Sequence, residues 1–95
     1  MSEKTIAILK LFEIEQNYKA VIVNGESFFY NFLSEIAKDI FEGYTTYYAV
    51  ESCICELVNK EVMSNSDCEK YLHYIKDMLV TFYSNIKIEH IQDSE

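Results

Sequence analysis

The sequence predicts an α+β fold: an N-terminal β-hairpin followed by three amphipathic α-helices, with a small single-layer sheet packed on the helices. Three observations carry this expectation. Val21, Ile22 and Val23 form a β-branched run that favours a strand. The apolar residues of 5–24 would point in every direction on a helix, whereas on a strand Phe12 and Ile14 share one face and Glu13 and Glu15 the other. From Ser27 onward, three segments repeat their apolar residues at helical spacing. An all-α four-helix bundle, with residues 4–15 helical, is the alternative; the absence of Pro and the presence of only two Gly permit long helices.

The elements follow in order. In TIAILKLFEIEQNYKAVIVN, residues 5–24, Gln16 and Asn17 are placed at the hairpin turn, although Asn-Gly would be a stronger turn signal. Asn24-Gly25 closes this unit. A helix is expected from about 27 to 42, capped by Ser27 and ended by Gly43 in a left-handed conformation. Its buried face would be Phe29, Phe32, Leu33, Ile36 and Ile40, with Glu35, Asp39 and Glu42 opposite. A third segment, capped by Thr45 or Thr46, is expected to run to about 62 with Tyr47, Val50, Ile54, Leu57 and Val58 inward. Ser66 and Glu69 make a capping-box pattern for a last helix from about 67 to 84 or 90. Its buried stripe is Tyr71, Leu72, Ile75, Met78, Leu79 and Phe82. A chain of 95 residues is expected to form a single small globular domain over 1–95, with frayed ends at 1–4 and 91–95.

Charge narrows the class of partner. Sixteen acidic residues stand against eight basic ones, all Lys, for a net charge of −8. Proteins that hold nucleic acid directly neutralise phosphates with Lys and Arg, so direct nucleic-acid binding is not expected, nor is attraction to an anionic membrane surface. No stretch approaches the run of about 18 apolar residues that a membrane helix needs, and no signal-peptide pattern opens the chain. An acidic protein is drawn to basic partners, many of which are nucleic-acid-binding proteins. The excess is uneven: residues 26–69 hold nine acids against Lys38 and Lys60. The Ile-, Lys-, Asn-, Tyr- and Phe-rich usage, without Arg, Pro or Trp, resembles a low-GC coding sequence, as in a low-GC bacterium, its phage or another virus.

The chemistry-bearing residues point away from catalysis. Cys53-x-Cys55 is not the two-to-four-residue spacing of a zinc pair, since residues i and i+2 of a helix stand about 200° apart. Cys68 and His73 supply no second pair, so no metal and no cofactor is expected, and the odd number of cysteines is read as reduced thiols. Cys53 should face inward and Cys55 outward. His73 is expected on the polar side of the last helix, and His90 lies in the tail. No nucleophile elbow, metalloprotease motif or phosphate-binding loop is present, and so short a chain has little structure with which to enclose a pocket. An enzyme is not expected.

Two features remain as candidate binding elements. Glu35, Asp39 and Glu42 form a row one turn apart, and like charges at this spacing cost a helix a few tenths of a kcal/mol. Carboxylates spaced about 6 Å apart approach the separation of neighbouring phosphates. Tyr44, Tyr47 and Tyr48 cluster at the start of the third segment, and Tyr offers large contact area with few rotors to freeze. Against these stand plainer readings: a solvated acidic face, and a Tyr47 that belongs to the core with Tyr44 and Tyr48 lying over a helix junction.

The expectation is therefore a small acidic protein-interaction module of the cytoplasm, or of the host cytoplasm if viral. Glu35, Asp39, Glu42 and Glu56 would mimic phosphates, with Tyr44 and Tyr48 as anchors beside them. Its sharper form is a phage or mobile-element inhibitor that blocks a basic nucleic-acid-binding host protein, as anti-restriction and anti-CRISPR inhibitors do; it rests on size and charge. The rival expectation is a non-catalytic structural or regulatory homo-oligomer, a two-fold dimer covering a strand edge and wide aromatic faces.

Overall fold

A computed structural model of the chain describes the backbone of residues 3–93 and the side chains of residues 10–86. It is all-α: α1 (Glu3–Lys19), α2 (Val21–Asn24), α3 (Glu26–Glu42), α4 (Tyr47–Asn59) and α5 (Asn65–Asp93). No strand occurs among the described residues, so the expected α+β class, with its hairpin over 5–24, gives way to a helical bundle. Of the ends expected to fray, Met1, Ser2, Ser94 and Glu95 lie outside the described residues.

The hairpin fails for physical reasons visible in α1. No Pro or Gly interrupts residues 3–24, and Glu, Gln and Lys between 13 and 19 are strong helix formers. Glu15 pairs with Lys19 one turn on at 3.0 Å, and the Asn17 amide donates to the Glu13 carbonyl at 2.8 Å. Gln16 and Asn17 thus sit inside a helix. One stripe, Leu11, Ile14, Tyr18 and Val21, packs inward at helical spacing, with Ile14 fully buried. Three further apolar residues are left in solvent: Phe12 is 63 % exposed, Ile22 92 % and Val23 86 %. Among the described residues of this region, apolarity on every side therefore reflects helices that are incompletely covered.

The chain reverses at Gly25, whose φ of 87° is open to glycine, and α3 begins at Glu26 without a side-chain cap, so Ser27 does not cap it. Gly43 (φ 89°) ends α3 as expected: its N–H donates to the Ile40 carbonyl and that of Tyr44 to Asp39. Thr46 caps α4, its side-chain oxygen accepting from the Ala49 N–H at 3.1 Å. The last helix starts earlier than the Ser66 pattern implies, because Ser64 caps it by accepting from the Asp67 N–H at 3.1 Å.

Helix directions follow from the side-chain pairs. Glu26 meets Lys70, Tyr30 meets Tyr74 and Phe41 meets Phe82, so α3 and α5 run parallel. Lys10 meets Asp39 while Tyr18 meets Phe29, which sets α1 antiparallel to α3. The closest packing joins non-consecutive helices, α3 with α5 and α1 with α4. Between them lies a core of Ile14, Phe29, Leu33, Ile36, Ala37, Val50, Cys53, Ile54, Leu57, Met63, Cys68, Tyr71 and Ile75. Most of the inward residues expected for the last three helices are in or against it. Five of the eight tyrosines pack in or against this interior, and four of them, Tyr18, Tyr30, Tyr71 and Tyr74, join Phe29 in edge-on or tilted ring contacts. Among the described residues, no helix is long and apolar enough to cross a membrane.

Candidate functional site

The acidic row lies on one side of α3, as its spacing requires, but its members differ. Asp39 faces α1 and is held by the Lys10 ammonium at 3.2 Å. Glu42 is exposed and lies 4.0 Å from Lys38 on its own helix. Glu35 is exposed, and among the described residues no ion pair engages it. The row thus presents two outward carboxylates and one already neutralised from within. Glu56 is exposed on α4, eight residues beyond Tyr48, about 12 Å along the helix. It stands apart from the α3 row.

The tyrosine cluster divides as its spacing implies. Tyr47 turns inward, where its hydroxyl is buried with no well-aligned hydrogen bond among the described residues, close to Lys76 and Glu51, and the Lys76 ammonium lies 5.5 Å from its ring centroid. Burial is the main reason its phenol is pushed up from the usual range. Tyr44 and Tyr48 stand outside, 75 % and 76 % exposed, on either side of the Thr46 cap. They share the α3–α4 junction with Glu42, immediately before the Gly43 turn. Phe41, on the same turn, reaches α5 to touch Phe82 at 5.4 Å and Tyr83 at 5.2 Å between ring centroids. Tyr83 continues into a run of exposed apolar residues on α5 with Val80 and Ile86. The expected stripe of α5 ends at Phe82, whereas Ile86 repeats it one turn further.

At the opposite end of α3 a groove of about 420 Å³ lies between α1–α2 and the starts of α3 and α5. Tyr18, Glu26, Asp67 and Tyr71 are among its walls. Its polar groups bind one another. The Tyr18 hydroxyl donates to Asp67 Oδ2 at 2.7 Å, and Lys70 bridges Glu26 at 3.0 Å and Asp67 at 3.7 Å. Lys70 holds the Glu26 carboxyl below its usual value, chiefly through their hydrogen bond. The groove is a cross-brace between the two ends of the chain, with its charges already matched.

The thiols and His73 do not assemble into one metal-binding group among the described residues. Cys53 is buried and Cys55 exposed, as the helical angle requires, while Cys68 is buried in the first turn of α5. His73 is exposed and pairs with Asp77 one turn on at 3.2 Å. Among the described residues no group of three or more His, Cys, Asp or Glu is placed to hold a metal ion. His90 falls among residues whose side chains are not described. Comparison with protein-family models, with curated proteins and with solved structures finds no match to the chain.

Proposed function

We propose that the chain is a small, non-catalytic, acidic protein-interaction module of the cytoplasm that docks on a basic partner through the α3–α4 junction. The observation that carries this reading is the pair Tyr44 and Tyr48, three-quarters exposed beside the outward carboxylate of Glu42. Large rigid rings give contact area at low entropic cost, while Glu35 and Glu42 steer a cationic surface toward them. In the sharper form the partner is a nucleic-acid-binding protein, Glu35 and Glu42 stand where phosphates would, and the origin is a phage or mobile element. Asp39 has a weaker claim to that role because Lys10 already neutralises it. Glu56 contributes to the general field only.

The test is capture of partners from a low-GC bacterial lysate on the tagged chain, eluted with a salt gradient. A basic nucleic-acid-binding protein released at moderate salt, and no longer retained by Glu35→Lys/Glu42→Lys or by Tyr44→Ser/Tyr48→Ser, supports the reading. A captured partner whose affinity both double variants leave unchanged removes it.

A second reading, a homo-oligomer, has its own support. Val80, Tyr83 and Ile86 leave the second half of α5 with apolar surface in solvent. The strand edge that first motivated this reading is absent from the described residues, so only the α5 face carries it. Light scattering over a concentration series separates a two-fold dimer from a monomer.

A further inference from the structure

We infer that Cys55 and Cys68 form a thiol-modification site across the α4–α5 hairpin, closing to an intramolecular disulfide when a low-molecular-weight disulfide such as oxidised glutathione is supplied. Neither thiol is a lone cysteine in this fold. Lys76 of α5 lies over the Tyr47 ring of α4, and the two helices are joined by the short segment 60–64, so they run antiparallel with Tyr47 level with Lys76. Advancing eight residues along α4 from Tyr47 and retreating eight along α5 from Lys76 moves about 12 Å along each axis. That brings Cys55 and Cys68 to one level beside the connection. The chemical environment agrees: after burial, contact with the Cys55 thiol is the next influence that raises the Cys68 thiol.

The two sulfurs are differentiated by exposure. Cys55 is open to solvent and meets the oxidant; Cys68 is buried behind it. The Cys55 thiolate attacks one sulfur of oxidised glutathione, forming a mixed disulfide and expelling one glutathione thiolate, which takes up the proton that Cys55 lost. The Cys68 thiolate then attacks the Cys55 sulfur and expels the second glutathione. Two protein thiols are oxidised and one small disulfide is reduced to two thiols. Cys53 takes no part: it lies two residues from Cys55, about 200° around the helix, and faces the core.

The experiment equilibrates the full chain with oxidised and reduced glutathione in varied ratio, quenches by alkylation, and reads intact mass and proteolytic peptides. The inference expects the wild type and Cys53→Ala to lose two alkylatable thiols together. It also expects a cross-linked peptide pair holding Cys55 and Cys68, and a higher urea midpoint that reverts on reduction. Cys68→Ala should instead stop at a stable glutathione adduct on Cys55, and Cys55→Ser should form neither product; circular dichroism checks that each variant is folded. A persistent glutathione adduct on wild-type Cys55, a disulfide between two chains, or a cross-link to Cys53 would overturn it.

Discussion

The Tyr18 hydroxyl donates to Asp67 Oδ2 at 2.7 Å although 49 positions separate the two residues. This bond ties the end of α1 to the first turn of α5. The same phenol packs edge-on against Phe29 and Tyr71, so ring and hydroxyl are fixed together.

Replacing Tyr18 by Phe keeps the ring packing and removes the bond. The expected loss is about 1 kcal/mol, toward the lower end for a bond to a charged group because Asp67 remains partly in water. The pH dependence has a definite sign. Burial, then Asp67, pushes the Tyr18 phenol up to about 12 from 10.0. A phenol whose folded value is raised stabilises the fold fully below its unfolded value, and that contribution fades as pH climbs from 10 toward 12. Urea midpoints measured across the alkaline range should fall for the wild type, and the Tyr18→Phe difference should shrink in the same window.

The helical N-terminus makes a prediction that a hairpin would not. Ile14 is fully buried and Ile22 is 92 % exposed. Ile14→Ala should therefore cost about 2–5 kcal/mol, a large share of the stability of a domain this size. Ile22→Ser should change stability by less than about 0.5 kcal/mol. Denaturant melts of both variants decide it: comparable losses at the two sites would mean that Ile22 is packed and α2 is wrongly placed.

This contrast also marks where the sequence is legible. From Ser27 onward the inward residues repeat at helical spacing and are flanked by polar ones, so Leu33, Ile36, Ile54 and Ile75 were readable as core. The Gly43 and Thr46 signals are local and were readable too. Residues 5–24 lack that contrast, because Phe12, Ile22 and Val23 are apolar yet exposed, and a periodicity argument counts them as though buried. Helix propensity and the Glu15–Lys19 pair, both independent of burial, favour the helix. In the candidate site, Tyr47 is legible as inward from the apolar face it shares with Val50 and Ile54, which leaves Tyr44 and Tyr48 over the helix junction. The Lys10–Asp39 pair is not, since it joins helices whose antiparallel packing no local pattern encodes.

The ends of α3 and α4 share one hydrogen-bond pattern but not one residue. At Gly43 the N–H groups of 43 and 44 reach back to Ile40 and Asp39; at Glu61 those of 61 and 62 reach back to Val58 and Leu57. Glu61 holds φ at 63°, where a side chain costs roughly 1–2 kcal/mol. Glu61→Gly relieves that strain and gives back part of the gain in unfolded-chain entropy. The expected outcome is a net stabilisation of about 0.5–1 kcal/mol, seen as a raised urea midpoint with an unchanged slope. A lower midpoint would show that the left-handed turn does not form at Glu61.

Asp39 separates the fold from the proposed binding face. It belongs to the acidic row by spacing, yet its carboxylate is held by Lys10, with the pair partly shielded from solvent. Asp39→Asn should cost up to about 1 kcal/mol of stability, more at low salt than at high, because it loosens α1 from α3. Binding of a basic partner should respond differently at the two outward acids and at the paired one. Glu35→Gln and Glu42→Gln remove outward charge, so they should weaken binding and flatten its dependence on salt while leaving stability within about 0.5 kcal/mol. The double variant Lys10→Gln/Asp39→Asn should leave that salt dependence as it was, since the pair it removes carries no net charge. Titrations of these variants at two or more salt concentrations, beside their denaturant melts, give the comparison. Should the double variant flatten the salt dependence as strongly as Glu42→Gln, the Lys10 pair must open on binding, and all three carboxylates would then face the partner.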